Sequence, residues 1–77
     1  MYLNEEILFY AFRYALGRMT YAVSTVSDCI IRNWDNLSTN KQTLIQKEII
    51  EAINIDNIRM DMDRIAWERI LKLKITQ

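Results

Sequence analysis

Near its amino terminus the chain reads NEEILFYAFRYALG (residues 4–17), and this stretch decides the fold class. Asn4 is a good N-cap, and Glu5 and Glu6 follow where the positive end of a helix dipole favours carboxylates. Apolar side chains then fill almost every position up to Gly17, a residue typical of a left-handed helix C-cap. The stretch therefore predicts a helix that is apolar nearly all round. Such a helix is either central to a core or exposed at an interface.

A second helix is predicted over about residues 24–35. Apolar residues recur there at three- and four-residue steps, which places them on one helix face; they are Val23, Val26, Ile30, Trp34 and Leu37. The other face is predicted to be polar and comprises Ser27, Asp28, Arg32 and Asn33. Asp28 and Arg32 have the i,i+4 spacing of an ion pair.

Ser38 or Thr39 is predicted to cap a third helix, and Thr39 and Gln42 have the spacing of a capping box. Its predicted buried stripe consists of Ile45, Ile49, Ala52 and Ile53, flanked by Leu44 and Ile50. Residues 54–60 are less regular, so we expect a loop. The alternation of apolar and polar residues over 53–58 leaves a short strand as the alternative.

Asp61 is predicted to cap a fourth helix that extends to about residue 74. Its predicted apolar stripe consists of Met62, Ile65, Ala66, Ile70 and Leu73, with Trp67 and Leu71 beside it. Glu68 and Lys72 have the spacing of a favourable i,i+4 pair. Trp34 and Trp67 both adjoin apolar stripes, so we expect both indole rings to be largely buried.

These four short amphipathic segments predict an all-α fold, a small bundle of about four short helices in a single domain over residues 1–77. Apolar residues make up 51% of the chain, which is enough for a core. With one cysteine and no histidine, neither an intrachain disulfide nor a Cys/His zinc site can form. Stability must therefore come from helix packing or from association.

The composition argues against an enzyme, and we expect no cofactor and no bound metal. Histidine, the commonest acid–base group at neutral pH, is absent, and a single glycine cannot build a phosphate-binding loop. Cys29 lies between apolar residues and is interpreted as a buried structural thiol. Asp56, Asp61 and Asp63 form a carboxylate cluster that fails the calcium-loop spacing, so Asp61 and Asp63 are interpreted as helix-start residues.

Two segments could bind a macromolecule. The start of the third helix is rich in side chains suited to reading bases, as in a helix-turn-helix: Ser38, Thr39, Asn40, Lys41, Gln42, Thr43, Gln46 and Lys47. Zero net charge offers little phosphate affinity, so nucleic acid is the less favoured partner. The other segment is residues 9–21, where tyrosines and arginines alternate as at interface hot spots. We expect Leu8, Phe12 and Ala15 to be core, while the opposite side is either core or interface.

We expect a cytoplasmic protein without a membrane partner. The amino terminus lacks the basic lead of a signal peptide. The longest apolar run, residues 7–16, is interrupted by Arg13 and falls far short of the roughly 20 residues that span a bilayer. A lone free cysteine also suits a reducing compartment.

The stretches LFYAFRYALGRMTYAVSTV (residues 8–26), the Asn33-Trp34 pair and MDMDRIAWERIL (residues 60–71) resemble small uncharacterised proteins encoded in phages and prophages. The resemblance implies stoichiometric binding and inhibition of one host protein in the host cytoplasm, such as a CRISPR–Cas effector or another defence protein. It implies partner contacts by Tyr10, Arg13, Tyr14, Arg18 and Tyr21, with Asp61, Asp63 and Glu68 as an acidic patch. The zero net charge departs from the strongly acidic DNA mimics among such inhibitors. A DNA-binding regulator and a self-assembling homo-oligomer are the alternatives.

Overall fold

The computed structural model describes residues 4–18, 23–55, 58 and 61–76, with the side chain of Arg18 left aside. These residues form four α-helices and one 3₁₀ turn: α1 (Glu5–Arg18), α2 (Val23–Arg32), the turn (Trp34–Asn36), α3 (Thr39–Asn54) and α4 (Asp61–Leu71). The predicted all-α bundle of four short helices is confirmed. Residues 53 and 54 belong to α3. The alternative prediction of a short strand over residues 53–58 is therefore wrong for its first two residues. No described helix has the length and apolar character needed to cross a membrane.

The helices form a ring of contacts in which α1 and α4 are diagonal. α1 packs against α2 and α3, and α4 packs against the same two helices. The rings of Phe12 (α1) and Trp67 (α4) meet across the centre, with centroids 5.4 Å apart and planes at 85°. Because the inner faces of α1 and α4 meet there, their outer faces point to opposite sides of the bundle.

Two of the three predicted amino-terminal caps are present, and the third is wrong because Asp61 lies inside α4 as its first residue. Asn4 Oδ1 accepts the Glu6 N–H at 2.8 Å, and Ser38 Oγ accepts the Lys41 N–H at 3.2 Å. The capping box predicted between Thr39 and Gln42 is wrong, because both side chains bond elsewhere. The Thr39 hydroxyl donates to a carbonyl of the carboxyl-terminal segment, and the Gln42 amide is buried.

Gly17 is not the predicted left-handed C-cap. It lies inside the last turn of α1, which continues to Arg18, and its φ is outside the left-handed region. A methyl group placed on Gly17 would meet nothing within 4 Å. Neither backbone conformation nor close packing therefore requires glycine at this position.

The core is assembled from all four helices and the turn, and its fully or nearly buried apolar side chains are Leu8, Phe12, Ala15, Leu16, Val23, Ile30, Trp34, Leu37, Ile45, Ile49, Ala52, Ile58, Ala66, Trp67 and Ile70. The predicted burial of both tryptophans and of Leu8, Phe12 and Ala15 is confirmed. Val26, Cys29 and Ile53 pack partly buried against this core. Cys29, predicted to be buried, is thus only half-buried.

Ser27 was predicted on the polar face of the second helix, but it is fully buried. Its hydroxyl donates to the Ser24 carbonyl oxygen at 3.0 Å, which satisfies the group inside the bundle. The ion pairs also differ from those predicted. Asp28 pairs with Arg69 of α4 at 3.1 Å, and Glu68 pairs with Arg64 at 3.6 Å.

The inner face of α4 differs from the predicted stripe. Ala66, Trp67 and Ile70 are buried, whereas Met62 and Ile65 are 78% and 60% exposed. The face is centred on Trp67, whose ring occupies the middle of the core against Phe12. Because Trp67 marks the middle of the buried side of α4, Met62 and Ile65 lie on its exposed side.

The fourth helix ends at Leu71, short of the predicted residue 74, because the following segment binds α3 and the turn. The Trp34 indole Nε1 donates to the Lys74 carbonyl oxygen at 2.7 Å, and Gln46 Nε2 donates to those of Ile70 and Leu73 at 3.1 and 2.9 Å. These bonds fix residues 72–76 along the bundle as a carboxyl-terminal strap.

Candidate functional site

The outer face of α1, defined here as Ile7, Tyr10 and Tyr14, is apolar and exposed. These side chains are 64%, 73% and 53% exposed and stand three and four residues apart on the side opposite Leu8, Phe12 and Ala15. The side that the sequence left open between core and interface therefore faces solvent. A row of large, mainly exposed apolar side chains on the side of a helix that faces away from the core is typical of an interaction surface.

Arg13 lies at the edge of this face and connects it to α3. Its Nε is 3.6 Å from Glu48 Oε1, and its guanidinium carbon is 5.9 Å from the centre of the Phe9 ring. Together with Tyr10 and Tyr14 it lines a shallow depression on the outer face. Because about two thirds of its side chain remains exposed, the pair with Glu48 contributes little to stability.

Arg13 also lines a second feature, a cleft of about 220 Å³ between α1 and α3. The remaining lining residues of this α1–α3 cleft are Leu16, Gly17, Glu48, Glu51, Ala52 and Ile55. Sequence reasoning missed Glu48, Glu51 and Ile55. Together with Lys41 and Leu44, these residues recur at steps of three and four along α3. That period places them on one side of the helix, and it is the sequence signal that could have found them.

Near the amino-terminal ends of α1 and α3, the Lys41 side chain of α3 contacts two residues of α1. Lys41 Nζ lies 3.0 Å from Glu6 Oε1 and 4.6 Å from the centre of the Phe9 ring. The Ser38 N–H also donates to Glu5 Oε1 at 2.9 Å. These contacts hold the two helices together at one end, and the cleft lies toward the other end.

The partner residues predicted on α1 and α4 do not form one surface. Tyr10, Arg13 and Tyr14 lie on the outer side of α1, and α4 lies across the core from them. On α4, Asp61 is exposed, whereas Asp63 and Glu68 are both half-buried. Tyr21 and the Arg18 side chain lie outside the described residues.

The predicted base-reading side chains at the start of α3 are largely occupied within the chain. The Thr39 hydroxyl donates to the Thr76 carbonyl oxygen at 2.7 Å, and Lys41 is held between Glu6 and Phe9. Gln42 and Gln46 bind the turn and the carboxyl-terminal strap. Asn40, Thr43 and Lys47 remain exposed, which leaves one basic side chain on that surface.

The structure describes two of the three carboxylates that the sequence groups together, Asp61 and Asp63. Asp61 and Asp63 lie in the first turn of α4, as interpreted, with Asp61 already helical, whereas Asp56 lies outside the described residues. Within the described ranges, no group of three or more acidic or cysteine side chains is arranged to hold a metal ion.

No protein family, curated protein or solved structure matches this chain. The candidate site is accordingly defined by its own geometry, as the outer face of α1 together with the α1–α3 cleft, joined at Arg13.

Proposed function

We propose that this protein acts by binding another protein, and that the outer face of α1 forms the centre of the interface. The observation that carries the proposal is the exposure of Ile7, Tyr10 and Tyr14 on a helix whose inner side already supplies Leu8, Phe12 and Ala15 to the core. The outer three side chains keep more than half of their surface in solvent. Tyrosine with neighbouring arginine is the combination enriched at interface hot spots.

The area of a standard protein interface indicates how much of this chain's surface a partner must cover. A standard interface buries about 800 Å² on each partner, against a total accessible surface of 5508 Å² for this chain. At their observed exposure, Tyr10 and Tyr14 together present on the order of 250 Å². A partner that covers them must therefore reach neighbouring surface as well, and Arg13 and the α1–α3 cleft lie next to them.

The resemblance to phage-encoded proteins directs the proposal toward a bacterial defence or regulatory protein as the partner, inhibited by one-to-one binding. DNA recognition through α3 receives less support. Thr39, Lys41, Gln42 and Gln46 already make contacts within the chain, and the net charge is zero. Phosphate binding ordinarily needs several free basic side chains on one surface.

The experiment is photo-crosslinking in nuclease-treated bacterial lysate, with a benzophenone amino acid at position 10. The matched control carries the same group at position 65, which is comparably exposed but lies on the opposite helix. We expect a discrete crosslinked protein from position 10 and none of that mass from position 65. Equal labelling from both positions would contradict the proposal.

A variant pair tests the face itself. Tyr10→Ala with Tyr14→Ala removes aromatic surface from α1, while Met62→Ala with Ile65→Ala removes exposed apolar surface from α4. We expect the first pair to abolish capture of the crosslinked protein and the second to preserve it. If the captured protein has a measurable activity, inhibition should reach its end point at one equivalent. Crosslinking of the chain to itself would instead identify a homo-oligomer.

A further inference from the structure

The α1–α3 cleft lies where two helices end side by side. Glu6 pairs with Lys41 and Arg13 with Glu48, so residue numbers increase in the same direction along both helices. The cleft is lined by Leu16 and Gly17 from the last turns of α1 and by Ala52 and Ile55 from the end of α3. Carboxyl-terminal helix ends carry partial negative charge. The last turn of α3 contains no basic residue to offset it.

Two glutamates add to this negative potential. Glu48 Oε1 lies 3.6 Å from Arg13 Nε, so the negative charge of Glu48 is partly neutralised. Glu51 also lines the cleft and forms no ion pair with any side chain that the structure describes. Among the lining residues that the structure describes, the cleft therefore has two carboxylates and one arginine, at a point where helix dipoles favour a cation.

The remainder of the cleft is apolar and open. Leu16 and Ala52 are buried beneath it, and Ile55 stands at its rim with 73% of its surface exposed. The position above Gly17 is empty to 4 Å. Small-molecule sites usually enclose about 300–1,000 Å³, so a cleft of about 220 Å³ suits a single side chain better than a separate ligand.

From these features we infer that the α1–α3 cleft receives an arginine side chain of the protein that covers the outer face of α1; the inference rests on the proposed function. An arginine has an aliphatic stem to lie against Ile55 and Ala52 and a planar guanidinium to meet a glutamate. Arginine fits better than lysine because its fork can bind a carboxylate through two parallel hydrogen bonds. A partner with an exposed arginine beside an apolar patch would match both halves of the site.

The test uses a defined probe, acetyl-arginine-methylamide, added to ¹⁵N-labelled protein. We expect saturable shifts of the backbone amide signals of Gly17, Ala52 and Ile55, with millimolar affinity. Acetyl-norleucine-methylamide, which has an aliphatic side chain but no charge, should cause none. Glu51→Gln should weaken arginine binding about three- to fivefold, whereas the control Glu68→Gln, the same charge change on α4, should not.

A second variant fills the space directly. Gly17→Leu places a side chain where the cleft is open and should remove the arginine-dependent shifts while the protein remains folded. Arginine shifts that are absent from the cleft, or unchanged in Glu51→Gln, would overturn the inference. Tyr10→Ala should leave the probe shifts intact, because the probe does not need the outer face. If the probe fails while Tyr10→Ala with Tyr14→Ala still abolishes protein capture, only the arginine assignment is wrong.

Discussion

The side-chain amide of Gln42 donates to the Trp34 carbonyl oxygen at 2.7 Å from a position with no solvent exposure. Its Oε1 accepts both the N–H and the hydroxyl of Thr76, at 2.9 and 3.1 Å. One buried amide therefore links the turn after α2, the first turns of α3 and the carboxyl-terminal strap. Because a buried amide without partners costs several kcal/mol, these three segments depend on one another.

Gln42→Leu should lower the free energy of unfolding by about 2–4 kcal/mol. The apolar side chain removes all three hydrogen bonds of the amide: the Thr76 N–H loses its partner, and the Trp34 carbonyl keeps the Leu37 N–H. A net hydrogen bond lost costs about 0.5–1.5 kcal/mol, and a buried group left unsatisfied costs about 1–3 kcal/mol. Urea denaturation measures the loss, and hydrogen exchange at the Thr76 amide should accelerate with it. Thr43→Leu, on the exposed side of the same helix, should change stability by no more than about 0.5 kcal/mol. Equal stability of Gln42→Leu and wild type would show that the amide does not hold the strap.

Gly17→Ala should stabilise the protein by about 0.5–1 kcal/mol, the usual difference between the two residues inside a helix. The structure places Gly17 in α1 with open space above it, so the added methyl meets no obstacle. Thermal or urea denaturation decides the sign. A loss of stability would mean that Gly17 adopts the left-handed cap conformation that its place in the sequence suggested, where alanine is strained.

The helices and most of the core followed from local patterns. Asn4 and Ser38 cap their helices because a short polar side chain can reach the free N–H groups of the first turn whatever surrounds it. Val23 and Ile30 are buried because three- and four-residue spacing fixes one helix face before any packing is known. Such features depend on residues close in sequence, and these predictions are confirmed.

The differences arise where a distant segment decides the outcome. Gln42 had the spacing of a capping residue, but its partners are Trp34 and Thr76, and the latter is 34 positions away. Asp28 had a nearby arginine at i,i+4 and instead pairs with Arg69 across the bundle. Similarly, the α1–α3 cleft exists because two helices end side by side, and no periodicity within either helix specifies that arrangement.

The pairing of Asp28 with Arg69 can be measured by a double-mutant cycle. Asp28→Asn with Arg69→Gln should yield a coupling of about 0.2–1 kcal/mol, the range for exposed pairs, since each side chain is about half exposed. The matching cycle of Asp28→Asn with Arg32→Gln should yield a value near zero. The first coupling should shrink at high ionic strength because salt screens exposed charges. A larger coupling to Arg32 would contradict the packing of α2 against α4.

Two isoleucines of α4 provide the sharpest test of how that helix is oriented. Ile70 is fully buried and Ile65 is 60% exposed, although the apolar pattern of the sequence placed both in one stripe. Ile70→Ala should cost about 2–4 kcal/mol, because it removes buried methyl groups and leaves a cavity beside Trp67. Ile65→Ala should change the free energy of unfolding by about 0.5 kcal/mol or less, since its side chain is mainly in water. The two substitutions are chemically identical, so the difference in urea denaturation reports only their surroundings. Similar losses at the two positions would mean that α4 is rotated about its axis. In that case Ile65 would belong to the core and could no longer serve as the exposed control for crosslinking from the outer face of α1.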